Sequence, residues 1–117
     1  MSTQPNPWQP NASDVHVTLC TVPNSEVAER IARELVTARL AACVNIVPGL
    51  RSIYSWQGKV CDDAELLLII KTTHEQLETM ASRIQQLHPY ENPEVINVPV
   101  GGGLLAYLDW VRQETHR

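Results

Sequence analysis

Residues 66–70 read Leu-Leu-Leu-Ile-Ile, five apolar side chains in a row between Glu65 and Lys71. Successive side chains of a strand point to opposite faces, so a strand with one wet face alternates apolar and polar residues. A run with no alternation marks a central strand covered on both faces, or one covered by a partner subunit. Either way, one strand of this chain demands cover on two sides.

The remaining pattern shows what cover the chain itself can supply. Val15, Val17 and Leu19 alternate with His16, Thr18 and Cys20, which predicts a first strand. Pro23 punctuates, and Asn24 or Ser25 stands where a helix cap is wanted, with Glu26 and Glu29 in the first turn. Val27, Ile31, Leu35 and Ala38 then carry a helix to about Leu40. Val44, Ile46, Leu50, Ile53, Tyr54 and Trp56 are rich in β-formers around Pro48-Gly49, predicting a long bent strand. Gly58-Lys59 and Cys61-Asp62-Asp63 bracket a reversal, so the next strand is expected over Glu65 to Thr72.

Thr73-His74-Glu75-Gln76 fits the S/T-x-x-E/Q capping box, and Leu77, Met80, Ala81, Ile84 and Leu87 follow as a helical stripe that Pro89 stops. Val95 to Val98 reads as a last strand. Gly101-Gly102-Gly103 reads as a turn into a short helix, Leu104 to Gln113. Residues 1–13 carry Pro5, Pro7 and Pro10 among polar residues and read as a flexible tail, apart from Trp8, which is expected to pack back on the domain or on a neighbouring subunit. The domain itself is expected over 14–117.

Strand, helix, strand, strand, helix, strand is the α+β, ferredoxin-like β-α-β-β-α-β order: an antiparallel sheet with both helices on one face, here with a C-terminal helix added. The opposite face has no helix of its own. Tyr54, Trp56 and the run 66–70 leave too much apolar surface there to stay wet, which predicts an oligomer.

A length of 117 residues suits one core, and 44% apolar against 19% charged residues excludes global disorder. A net charge of −4 gives no basic surface for nucleic acid. Nothing approaches the roughly 18 apolar residues of a membrane span, and the N-terminus lacks a secretory pattern. Three cysteines, odd in number and without CxxC spacing, suit a reducing, cytoplasmic setting. The absence of G-x-S-x-G, H-E-x-x-H and P-loop motifs points to a binding protein, not an enzyme. An acylphosphatase-type hydrolase would share only the fold class.

Cys20 and His88-Pro89-Tyr90-Glu91 are the residues closest to chemistry. A thiolate, an imidazole and a carboxylate together suit copper or zinc. His16 cannot share an ion with Cys20 simply by lying on the same strand face, since four strand residues separate their Cα atoms by about 13 Å, so a partner must come from another element or another subunit. The plain alternatives stand beside the metal reading: a buried cysteine packs as a small hydrophobe, and a His before Pro satisfies helix carbonyls. Cys43 is read as core and Cys61 as an exposed residue of an acidic turn. Lys71 and Arg51 could meet an anion or be a solvated rim.

Longer stretches carry a resemblance. Ala41-Ala42-Cys43-Val44-Asn45-Ile46-Val47-Pro48-Gly49, Ser52 to Lys59, Lys71-Thr72-Thr73, His88 to Glu94, and Pro99-Val100 through Tyr107-Leu108-Asp109-Trp110 together resemble the CutA divalent-cation-tolerance family. The resemblance covers nearly everything after residue 14. It implies a ferredoxin-like homotrimer similar to PII signalling proteins, linked to tolerance of copper and other divalent cations, with no established reaction. It further implies a copper(II) site at Cys20 and His88. Leu87 stands where the family has a first histidine, which removes a ligand, so the site is expected to be weaker, completed by Glu91, His16 or water, or absent. A PII-like module binding a small anionic ligand or a partner protein between subunits is the alternative.

Overall fold

Asn24 opens the first helix by accepting the Val27 amide on its side-chain oxygen, 2.9 Å. In the computed structural model, which describes residues 7–116, that helix is α1 (Ser25–Thr37). It follows a two-part N-terminus, β1 (Trp8–Pro10) and β2 (Val15–Val22). The chain continues through β3 (Cys43–Trp56), β4 (Lys59–Thr73), a 3-10 turn (His74–Gln76), α2 (Leu77–Leu87), β5 (Ile96–Pro99), β6 (Gly102–Leu104) and α3 (Leu105–Glu114).

The main sheet runs β3-β4-β2-β5, antiparallel throughout, which is the ferredoxin-like order. Its register fixes the faces. Cys20 lies opposite Leu68, Thr18 opposite Ile70 and Val22 opposite Leu66, and this set packs under α1 and α2 with Ile31, Leu35, Met80 and Ile84. Removing a buried leucine such as Leu68 from this layer would cost about 2–5 kcal/mol. A smaller core of Ala12, Val15, Ala42, Leu108 and Val111 seats α3 at the other end.

The opposite face is apolar too. Val17, Leu19, Leu67 and Ile69 are half-buried there, and Ile96 and Val98 are each 59% exposed. Val17 and Leu19 therefore face away from α1 and α2, while Thr18 and Cys20 face them and Val15, at the start of the strand, is covered by α3. Past a bulge at Val47/Leu50, where Gly49 takes φ +84°, strands β3 and β4 leave the sheet as a two-stranded ribbon. Gln57-Gly58, with φ of +50° and +78°, closes it as a two-residue hairpin with both centres left-handed. Ile53 and Val60 on the ribbon are 68% and 81% exposed. The radius of gyration is 16.2 Å, against about 13 Å for a compact domain of this length.

Four expectations are corrected. The strand expected from Glu65 begins at Lys59, so Cys61-Asp62-Asp63 belongs to β4 and not to a turn. The tail expected over 1–13 is structured from Trp8, because Trp8–Pro10 pairs with Gly102–Leu104; residues 1–6 lie outside the described range. The glycine triplet is thus partly a strand, and Gly102 is required, since a Cβ there would sit 2.8 Å from the Gln9 carbonyl. The capping box does not form: Thr73 makes no cap bond to the 3-10 turn.

Thr73 Oγ1 instead meets Thr115 Oγ1 at 3.0 Å, and Gln76 Nε2 donates to the Thr115 carbonyl at 2.8 Å. These side chains, with Thr115 1% exposed, tie the end of α3 to the end of β4. Gln76→Ala strands a buried carbonyl and should lower unfolding stability by about 1–3 kcal/mol. Urea unfolding measures it, and a change below about 0.5 kcal/mol would show that the tie carries nothing.

Candidate functional site

Cys20 is fully buried, and its thiol donates to the Thr21 carbonyl at 3.7 Å. His88 follows α2 directly and places Nε2 2.8 Å from that same carbonyl. Its Nδ1 lies 3.1 Å from the Tyr90 amide, which can only donate. Nδ1 therefore accepts, and Nε2 carries the proton that Thr21 receives. The fold does bring Cys20 and His88 together, but as two donors to one carbonyl. Burial pushes the Cys20 thiol up to about 12, with Glu94 and Glu65 adding to it. A thiol so held is neither a ready metal ligand nor a nucleophile. Leu87, where the resemblance sets a histidine, packs its side chain against the core and gives its carbonyl to Arg30 at 2.7 Å.

Glu91 lies elsewhere. It is an exposed residue lining a cleft of about 740 Å³. One wall is Ser52, Ile53, Tyr54 and Trp56 of β3, another is Asp63 and Glu65 of β4, and Pro89 to Asn92 with Glu94 close the third side over Thr21. The register puts Thr21, Leu67 and hence Glu65 on the face opposite Cys20. The sheet separates the thiol from the cleft. Among the described residues no group of three or more His, Cys, Asp or Glu gathers around one point, so Cys20, His88 and Glu91 as folded do not fit a bound metal ion.

The cleft has its own chemistry. Among the described residues its titratable carboxylic side chains are Asp63, Glu65, Glu91 and Glu94, and no Lys, Arg or His lines it. Tyr54 Oη donates to Asp63, and Tyr90 Oη donates to Glu65 at 2.9 Å. The bond to Asp63, ahead of burial, lifts the Tyr54 phenol to about 12. Burial first, and then Glu65, lifts Tyr90 above the ordinary phenol range. Both rings are thereby fixed as neutral walls. Asp63, Glu65 and Glu94 were not picked out from the sequence, although Asp63 and Glu65 are spaced to share one strand face once β4 is known to start at Lys59.

The other candidates are structural. Arg51 pairs with Asp62 at 2.5 Å and Lys71 donates to Asn45 Oδ1, so neither is free for an anion. Cys43 is half-buried, with Asn45 Nδ2 donating to its sulfur at 3.8 Å. His16 lies against His74 with the rings tilted by 43° and 5.5 Å between centroids. A hollow of about 370 Å³ on α2, lined by Glu78, Ser82 and Arg83 among others, has no aromatic side chain among its lining residues.

Residues 16–114 match the sequence profile of the family described as CutA1 divalent ion tolerance protein. The chain belongs to the CutA family. It is 54% identical over 99 residues to the divalent-cation tolerance protein CutA of Thermus thermophilus, covering 85% of this chain and 96% of that one. It is 48% identical over 99 residues to the chloroplastic protein CutA 1 of rice, 85% of this chain and 56% of that longer one. The solved Thermus thermophilus Cut A1 superposes with a TM-score of 0.86 at 53% identity, over 87% of this chain and 99% of that chain. CutA of Xylella fastidiosa superposes with 0.87 at 44%, over 89% and 100%.

In this CutA chain the Cys20 thiol ionises at the ordinary 9.0 when unfolded and near 12 when folded. Between those values the folded state holds more protons, so Cys20 makes stability fall as pH rises through that window. Denaturant titrations of wild type and Cys20→Ser should diverge in slope there, the variant losing less stability with rising pH. Parallel profiles would mean that Cys20 is not buried as a thiol.

Proposed function

We propose that this CutA protein is a homotrimer that binds divalent cations at the acidic cleft and acts in metal tolerance. The cleft's charge carries the cation part: among the described residues four carboxylic side chains line it and no basic one does. A cleft of one sign concentrates counter-ions of the other. That charge disfavours a small anionic ligand, the alternative read from the sequence. The oligomer is supported by the apolar open face and by the ribbon, since a two-stranded hairpin alone is marginally stable in water. The cleft opens on that same face, beside the surface a second copy would cover.

Copper(II) at Cys20 and His88 is the finer version of this reading. Against it stand the protonated thiol, the two committed nitrogens of His88 and the sheet between Cys20 and Glu91. We therefore read the divalent cation, copper(II) included, as drawn in by the cleft's charge and held by Glu91 and Glu94 with water filling the rest of its shell, since no three carboxylates gather around one point among the described residues. The raised thiol and the engaged imidazole also support a binding protein over an enzyme. Free Cys20, Cys43 and Cys61 support a cytoplasmic setting, which cell fractionation checks.

Sedimentation should give three times the 13.1 kDa chain mass, and Val98→Glu on the open face should shift the mass toward one chain. A folded wild-type monomer at micromolar concentration would remove the trimer. In calorimetric titration with Cu(II) or Zn(II), Glu91→Gln with Glu94→Gln should weaken binding about fivefold or more. Cys20→Ser should leave it within about twofold. The reverse ranking would return the site to Cys20 and His88.

A further inference from the structure

The size and walls of the cleft carry information beyond its charge. About 740 Å³ is the scale of a pocket for a small organic molecule, far more than one ion fills. Glu65 is 6% exposed and lines this space, yet no Lys, Arg or His pairs with it among the described residues. Its single hydrogen bond there comes from Tyr90. A buried carboxylate with no cation beside it is costly, and its natural complement is a positive group brought from outside. Three aromatic side chains stand with it: Tyr54, Trp56 and Tyr90.

Aromatic walls are of little use to a metal ion that needs several oxygen or nitrogen donors, and such donors do not gather here in threes. They suit an organic cation, because a ring face attracts positive charge and its area covers an apolar body. Hydrogen bonds to Asp63 and Glu65 already fix two of the rings, so little ordering is left for a ligand to impose.

We propose that the cleft binds a small, free organic ammonium compound, its charged head beside Glu65 and Tyr90 and its apolar body against Trp56. This rests on reading the cleft as the cation-facing surface and names the class of cation. Choline and 1,4-diaminobutane are suitable probes, titrated into the full chain in its native assembly with a chelator present. Trp fluorescence and calorimetry should show saturable binding of at least one, with a dissociation constant of roughly 1 mM or tighter.

Glu65→Gln, which keeps shape and removes charge, and Trp56→Ala should each weaken that binding about tenfold or more. Trp56→Ala should keep wild-type metal affinity with the chelator removed, since it leaves all four carboxylic side chains of the cleft in place. Saturation absent for both probes at roughly 10 mM overturns the proposal, as it would if a lysine of a second copy filled the cleft. So does undiminished binding by Glu65→Gln. Metal binding that persists in either case leaves the divalent-cation reading standing, and its loss alone would remove that reading while sparing this one.

Discussion

A sheet that carries helices on one side must find something else for the other, and in this chain the need is unusually large. β4 is apolar on both faces from Leu66 to Ile70, β2 adds Val17 and Leu19, and β5 adds Ile96 and Val98. The helix layer satisfies one half only. The ribbon beyond Gly49 extends the unsatisfied surface outward, giving the molecule a long axis of 62 Å against 27 and 21 Å. Helix layer, ribbon and cleft all follow from the way one long hairpin is shared between a packed half and an unpacked half.

That division also explains why the cleft lies where it does. As the hairpin leaves the sheet, Asp63 and Glu65 emerge beside the last residues that β2 can cover. The segment after His88 then folds back against them. His88 is the hinge of that return. With one nitrogen on the Thr21 carbonyl and the other on the Tyr90 amide, it locks the start of the 89–94 loop to the end of β2. Tyr90 is thereby delivered to Glu65. The imidazole builds a wall of the cleft without entering it.

Most of the architecture was legible in the residues because period and punctuation agree with it. The alternation in β2, the stripe of α2 and the Pro89 stop each have one local reading, and the cap, open between Asn24 and Ser25, falls on Asn24. Failures came where a side chain serves a distant partner. Thr73 and Gln76 have the spacing of a cap yet bond to Thr115, 39 residues beyond Gln76. Gly102 looks like a loop glycine, but it is there because β1 approaches too closely for a Cβ. Cys61-Asp62-Asp63 resembles a turn because it is acidic, and the true reversal is the shorter Gln57-Gly58. Missing that start of β4 hid the cleft, since only a strand through 63–65 puts two carboxyl groups on one face.

Cys20 and His88 show how residue type can point to a chemistry that the environment withdraws. A thiolate and an imidazole form a soft metal site only if the thiol can lose its proton and the ring has a lone pair to spare. Cys20 is buried in the layer with Leu68 and Ile31, so ionising it means placing a charge in an apolar core near two glutamates. His88 has spent its lone pair on a backbone amide. Glutamates, tyrosines and a tryptophan are less distinctive in a sequence than Cys and His. In this fold they are the groups left facing open space with binding capacity unspent. The cation recognition proposed for this chain therefore rests on its carboxylates and rings, with the cysteine and histidine holding the frame on which those groups are mounted.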